Sequence, residues 1–135
     1  MTLRDEDRKT LIEYRIQKAK EAIEDAQFLI ENDKLNLAIN RIYYGMFYVL
    51  TALALKHGFN TSKHLQLIGW FNKNFVKENI VDLKYGQIIH RAYDKRSKGD
   101  YGDYIKFSRD EVLELFQEMK DFVQRIEELI RLEQQ

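Results

Sequence analysis

The stretch Asn40-Arg41-Ile42-Tyr43-Tyr44-Gly45-Met46-Phe47 sets an amide, a guanidinium, two phenols and a glycine into a segment whose apolar spacing predicts a buried helix. Leu, Ile, Val and Ala would fill an ordinary helix core. A buried polar group costs free energy unless it is paired, and an unpaired buried charge costs several kcal/mol. These side chains therefore have partners elsewhere in the chain or serve a site. The natural partner is downstream, in Arg96-Ser97-Lys98-Gly99-Asp100-Tyr101.

Each feature has a structural and a chemical reading. Arg41 and Gly45 are four apart and share one helix face. The glycine costs about 1 kcal/mol against alanine inside a helix, so it marks either a close helix crossing or room for a ligand beside the guanidinium. Arg96 and Asp100 are also four apart. They can form an ion pair that orients Arg96 and Tyr101 toward Arg41 and Tyr44, or a polar network that only fixes helix register. His64 falls in the first turn of a predicted helix, where it can bond a phosphate or sit half-exposed. The other histidines, His57 and His90, share no helical ligand spacing with it, and no HExxH pattern occurs, so no metal site is expected. Tyr43, Tyr44, Tyr48, Tyr85, Tyr93, Tyr101 and Tyr104 lie near basic residues and can stack on bases. For Tyr43, Tyr48 and Tyr93 the default is core. No Walker sequence and no GxSxG elbow is present.

Helices must position these groups. Ile12, Ile16, Ala19, Ile23, Ala26 and Ile30 form one amphipathic stripe that Asn32-Asp33 breaks. A more apolar helix runs from Leu35 through Ala54 and should end near His57-Gly58. Thr61-Ser62 can cap a shorter helix carrying Leu65, Ile68, Phe71 and Phe75. A further helix covers Val81 to about Lys98, with Leu83, Ile88, Ile89, Ala92 and Tyr93 inward. Ser108-Arg109-Asp110-Glu111 reads as a capping box before a long helix. That helix presents Val112, Leu115, Phe116, Met119, Phe122, Val123, Ile126, Leu129 and Ile130 on one face. No segment alternates with period two. The expected fold is all-α, an antiparallel up-and-down four-helix bundle with an additional short helix, in a single domain spanning 1–135.

Of the 135 residues, 44% are hydrophobic and 33% charged, which fits a folded chain. The absence of cysteine removes disulfides, thiolate metal sites and thiol nucleophiles, and fits a reducing cytosol. The charged N-terminus lacks a signal-peptide core, and no apolar run approaches the roughly 20 residues of a membrane span. A cytoplasmic protein without a membrane partner is expected. The net charge is zero but uneven: −3 over residues 1–33, +8 over 34–109 and −5 over 110–135, with no Asp or Glu between Lys34 and Lys77. The basic middle either attracts an anionic partner or is neutralised by the acidic flanks.

Ala38-Ile39-Asn40-Arg41-Ile42-Tyr43-Tyr44-Gly45-Met46-Phe47 resembles the Ser-Arg-Ala-Tyr-Tyr-Ala-Met-Phe signature of HEPN domains, closest to the small stand-alone prokaryotic branch. Gly58 to His64, Phe71 with Phe75, and Arg96-Ser97-Lys98-Gly99-Asp100-Tyr101 resemble further parts of that branch's pattern. The resemblance implies a helical bundle that commonly forms a homodimer and is often paired with a minimal nucleotidyltransferase as a toxin–antitoxin-like system. It also implies association with nucleotide or RNA. Some members are metal-independent ribonucleases with an Arg-x(4–6)-His motif, and no histidine follows Arg41, Arg91 or Arg96 at that distance. In some relatives the partner adds AMP to a tyrosine, for which Tyr101 is the nearest counterpart. The resemblance thus points to Arg41, Tyr44, His64, Arg96, Asp100 and Tyr101 as ligand- or anion-binding candidates. It points to no cofactor, and favours a non-catalytic nucleotide- or RNA-associated protein over a ribonuclease toxin or a purely structural interaction module.

Overall fold

A computed structural model describes residues 4–99 and 105–132. The N-terminal stripe becomes helix α1, Asp5–Glu31, whose first turn carries Asp5, Glu6 and Asp7 beside the positive end of the helix. The break comes where expected. Asp33 takes φ 56°, and the amides of Asp33 and Lys34 return to the carbonyls of Ile30 and Leu29. Helix α2 follows as Leu35–Lys56. It ends on Gly58 at φ 74°, with Phe59 N–H bonding the Ala54 carbonyl at 2.9 Å and Gly58 N–H that of Leu55. This pair of returning bonds satisfies carbonyls the helix would otherwise leave open.

Helix α3 is short, His64–Phe71, and runs into a single π-helical turn, Asn72–Val76. Helix α4 spans Leu83–Gly99 and α5 spans Arg109–Leu132. The capping box before α5 forms as expected: Glu111 N–H bonds Ser108 Oγ at 3.1 Å, and Ser108 N–H reaches the Glu111 carboxylate at 3.4 Å. All nine apolar residues predicted on the inner face of α5 are buried.

Three local expectations change. Thr61 and Ser62 do not cap α3. Lys63 holds the capping position without a side-chain bond, because Thr61 Oγ1 accepts Lys63 N–H instead. Leu83 opens α4 and points outward, 64% exposed, while Tyr85 takes the inward place. On α1, Ala22 is fully packed and Ile23 only partly so. The buried alanines Ala19, Ala22 and Ala26 let α2 approach closely.

Among the described residues the fold is all helix. Helix α2 is central and packs on α1, α3, α4 and α5. Across α1 and α5, Lys20 meets Glu127 at 3.1 Å and Glu13 meets Arg131 at 2.7 Å. Across α4 and α5, Tyr85 bonds Asp121, Arg91 meets Glu118 and Lys95 meets Glu111. By length and composition α2 is long and apolar enough to cross a bilayer, contrary to the expectation that no segment is. In this fold it is the core helix, with 61% of that window buried.

Candidate functional site

Helix α2 presents Arg41, Tyr44 and Tyr48 along one side, at steps of three and four. Tyr43 and Phe47 sit one position round, and Tyr43 is wholly buried. Helix α4 brings Arg96 against this side. Its Nη2 donates to the Tyr44 hydroxyl at 3.0 Å. Its guanidinium carbon lies 5.2 Å from the Tyr44 ring centroid and 5.8 Å from that of Tyr43. Arg41 covers the same Tyr44 ring at 5.6 Å. Two guanidiniums from two helices thus share one phenol ring, each contact worth about 0.5–2 kcal/mol.

Helix α3 closes the cluster. The His64 ring stacks on Phe47 with centroids 4.2 Å apart and planes 17° apart. His64 Nδ1 lies 2.6 Å from the Tyr43 hydroxyl. Tyr93 of α4 packs edge-on to Tyr43 at 5.7 Å. Burial pushes the Tyr43 phenol well above its ordinary value, with Arg96 opposing that shift. Burial, then the positive charge of Arg96, hold the His64 imidazole below its ordinary value. The cluster therefore holds an un-ionised phenol and a neutral imidazole beside two permanent cations.

Arg41, Tyr44, His64 and Arg96 come together from α2, α3 and α4. Asp100 and Tyr101 lie outside the described residues. His64 is at the start of α3 as expected, but its Nδ1 is engaged by Tyr43. The sequence treated Tyr43 as filler. It is filler by burial, and it also anchors His64. Phe47 joins the site by stacking on His64, and its place one turn after Tyr43 on the same face is the signal for it. Gly45 marks a close crossing: a Cβ there would stand 2.2 Å from Met119 Cε and 3.2 Å from Ala22 Cβ. His90 is exposed, 3.6 Å from Asp94, and His57 packs against Trp70 and Phe75.

The charge asymmetry resolves by face. On α4, Lys84, Arg91 and Lys95 pair with Asp121, Glu118 and Glu111 of α5. Arg109 pairs with Asp33 at 2.6 Å. Arg41 has no such counterpart: among the described residues no carboxylate pairs with it, and its Nε is buried without a hydrogen-bond partner. A cation with an unsatisfied donor beside a π face suits an anionic, aromatic ligand.

Comparison with known proteins gives the family. The HEPN domain model matches residues 12–129. The chain belongs to the HEPN domain family. It is 36% identical over 124 residues to a "UPF0332 protein" of Thermotoga maritima, covering 92% of this chain and 94% of that one. Two proteins of Methanocaldococcus jannaschii are each 34% identical. "Putative toxin MJ0605" matches over 86% of both chains, and "Putative toxin MJ0142" over 74% of this chain and 68% of its own. The HEPN match takes in the whole cluster, from Arg41 to Arg96.

Proposed function

We propose that this HEPN protein is a nucleotide- or RNA-associated component of a toxin–antitoxin-like or stress-defence system, acting with a minimal nucleotidyltransferase partner. The observation that carries this is the approach of two guanidiniums, Arg41 and Arg96, from two helices to the one Tyr44 ring. That arrangement sets two phosphate-binding cations among aromatic rings, the residue types that single-stranded nucleic-acid sites combine. The toxin names of the two Methanocaldococcus jannaschii relatives support the biological class. Asp100 and Tyr101 complete the site in this proposal, with Tyr101 as the residue a partner would modify.

The protein acts as a homodimer in the cytoplasm, with residues 1–135 as one domain. Helices α1, α2, α4 and α5 form its antiparallel up-and-down four-helix bundle, and α3 is the addition. The contact order supports this: Glu13 and Lys20 rise along α1 as their partners Arg131 and Glu127 descend along α5. Fluorescence anisotropy with a labelled single-stranded RNA tests the function. Binding should fall at least tenfold in Arg41→Ala and in Arg96→Ala while circular dichroism stays helical. Unchanged binding in both variants would rule the cluster out.

One observation favours a second function, a metal-independent ribonuclease. The sequence lacks the Arg-x(4–6)-His spacing, yet His64 stands in the same cluster as Arg96 and Tyr44. A neutral imidazole there can take the proton of an RNA 2′-hydroxyl as that oxygen attacks phosphorus, forming a 2′,3′-cyclic phosphate while the 5′-oxygen leaves with a proton from water. Cleavage that persists in EDTA and disappears in His64→Ala would establish it. Intact RNA after long incubation would exclude it.

A further inference from the structure

Beside the cluster, between α1, α2 and the segment leading into α3, lies an open cleft of about 570 Å³, within the usual range for small-ligand sites. Arg15 of α1 and Lys63 supply its charge, and among the described residues no acidic side chain lines it. Phe47 and Tyr48 form an aromatic wall. Thr51, Thr61 and Ser62 complete the lining. We infer that this cleft is a separate nucleoside-phosphate subsite, with the phosphate held by Arg15 and Lys63 and the base laid against Phe47 and Tyr48.

Arg15 carries the most weight. It is half-buried, and burial holds its guanidinium below the ordinary value. Its hydrogen bond is to the Thr51 carbonyl at 3.3 Å. Among the described residues no carboxylate pairs with Arg15 or with Lys63. A partly desolvated cation lining an acid-free cleft gains most from a phosphate, which adds charge and accepts a two-pronged guanidinium bond. Bare phosphate would leave the aromatic wall unused, whereas a nucleoside uses it. The cleft meets the cluster along Phe47, whose ring stacks on His64, and along Tyr48, whose hydroxyl lies 3.5 Å from Arg41 Nη2. The inference goes beyond the function proposed above, because neither guanidinium of the cluster is part of it.

Calorimetric titration of the full chain tests it with four probes: AMP, adenosine, inorganic phosphate and a six-nucleotide oligoadenylate. AMP should bind at least tenfold more tightly than adenosine or phosphate. Lys63→Ala and Arg15→Gln should each weaken AMP about tenfold, one charge-assisted contact being lost in each. Lys63 is exposed, so its variant stays folded and decides the matter even if Arg15→Gln does not fold. An oligomer more than tenfold tighter than AMP identifies an RNA strand as the source of the phosphate. Equal affinities identify a free nucleotide, and either result supports the subsite. No binding of AMP or oligomer at millimolar concentration overturns it. So does binding that ignores Lys63→Ala and Arg15→Gln but fails in Arg96→Ala, an outcome that would leave the cluster standing. Loss only in the cleft variants supports the subsite and leaves the cluster to the single-stranded RNA test above.

Discussion

Arg96 on α4 donates to the hydroxyl of Tyr44 on α2 at 3.0 Å, across 52 residues of chain. The same guanidinium lies over the faces of Tyr43 and Tyr44. One side chain thereby ties α4 to the polar side of α2 through two different interactions.

The two interactions separate by substitution. Tyr44→Phe keeps the ring and removes the hydroxyl, and should cost about 0.5–1.5 kcal/mol of stability. Arg96→Ala removes both contacts and should cost about 1–3 kcal/mol. Urea denaturation of the two variants measures the difference. Equal losses would mean that the ring contacts contribute nothing.

Gly45 is required by packing. Alanine there would gain about 1 kcal/mol of helix propensity. Its Cβ would also meet Met119 Cε at 2.2 Å and Ala22 Cβ at 3.2 Å. Overpacking of that kind costs about 1–3 kcal/mol, so Gly45→Ala should be neutral to destabilising and Gly45→Val clearly worse. Met119 is the flexible neighbour. Met119→Leu should recover part of the loss in Gly45→Val, seen as a favourable coupling in a double-mutant cycle. Strict additivity would contradict the crossing.

Where a signal is local, the sequence carried it. Gly58 supplies the left-handed residue that ends α2, Ser108 and Glu111 sit at capping-box spacing, and the nine inward residues of α5 follow a single helical period. What could not be read depends on how helices meet. His64 finds Tyr43 across 21 residues and Arg96 finds Tyr44 across 52, and no spacing rule encodes either distance. The preference for Ala22 over Ile23 on the buried side of α1 has the same origin. Ile23 is the better hydrophobe, but the α1–α2 approach is set by Gly45, which admits only a small partner. The π turn at Asn72–Val76 shows no propensity signal. It places Phe75 inward, 3% exposed, where a continued α3 was expected to carry it.

The capping box offers a direct stability test. Ser108→Ala removes the acceptor for Glu111 N–H and should cost about 1 kcal/mol. Hydrogen exchange should speed up first in the amides at the start of α5 and only later in the centre of the helix. Uniform acceleration would indicate that the first turn is held by something other than Ser108.

His64 makes stability depend on pH. Its imidazole is held below its ordinary value of 6.5, by burial first and by Arg96 second. Below pH 6.5 the unfolded chain therefore binds this proton while the folded chain still resists it. Where the unfolded state holds more protons, stability rises with pH. The contribution of His64 is complete above pH 6.5 and is lost as pH falls through the interval between the unfolded and folded values. His64→Gln abolishes that interval and leaves His57 and His90 in place in both proteins. Unfolding free energies measured between about pH 7.5 and 5, a range that spans the ordinary imidazole value of roughly 6.5, should fall more steeply for the wild type than for His64→Gln. Parallel curves would mean that the folded imidazole protonates as readily as a solvated one. That would place His64 away from Arg96 and dissolve the cluster from its α3 side.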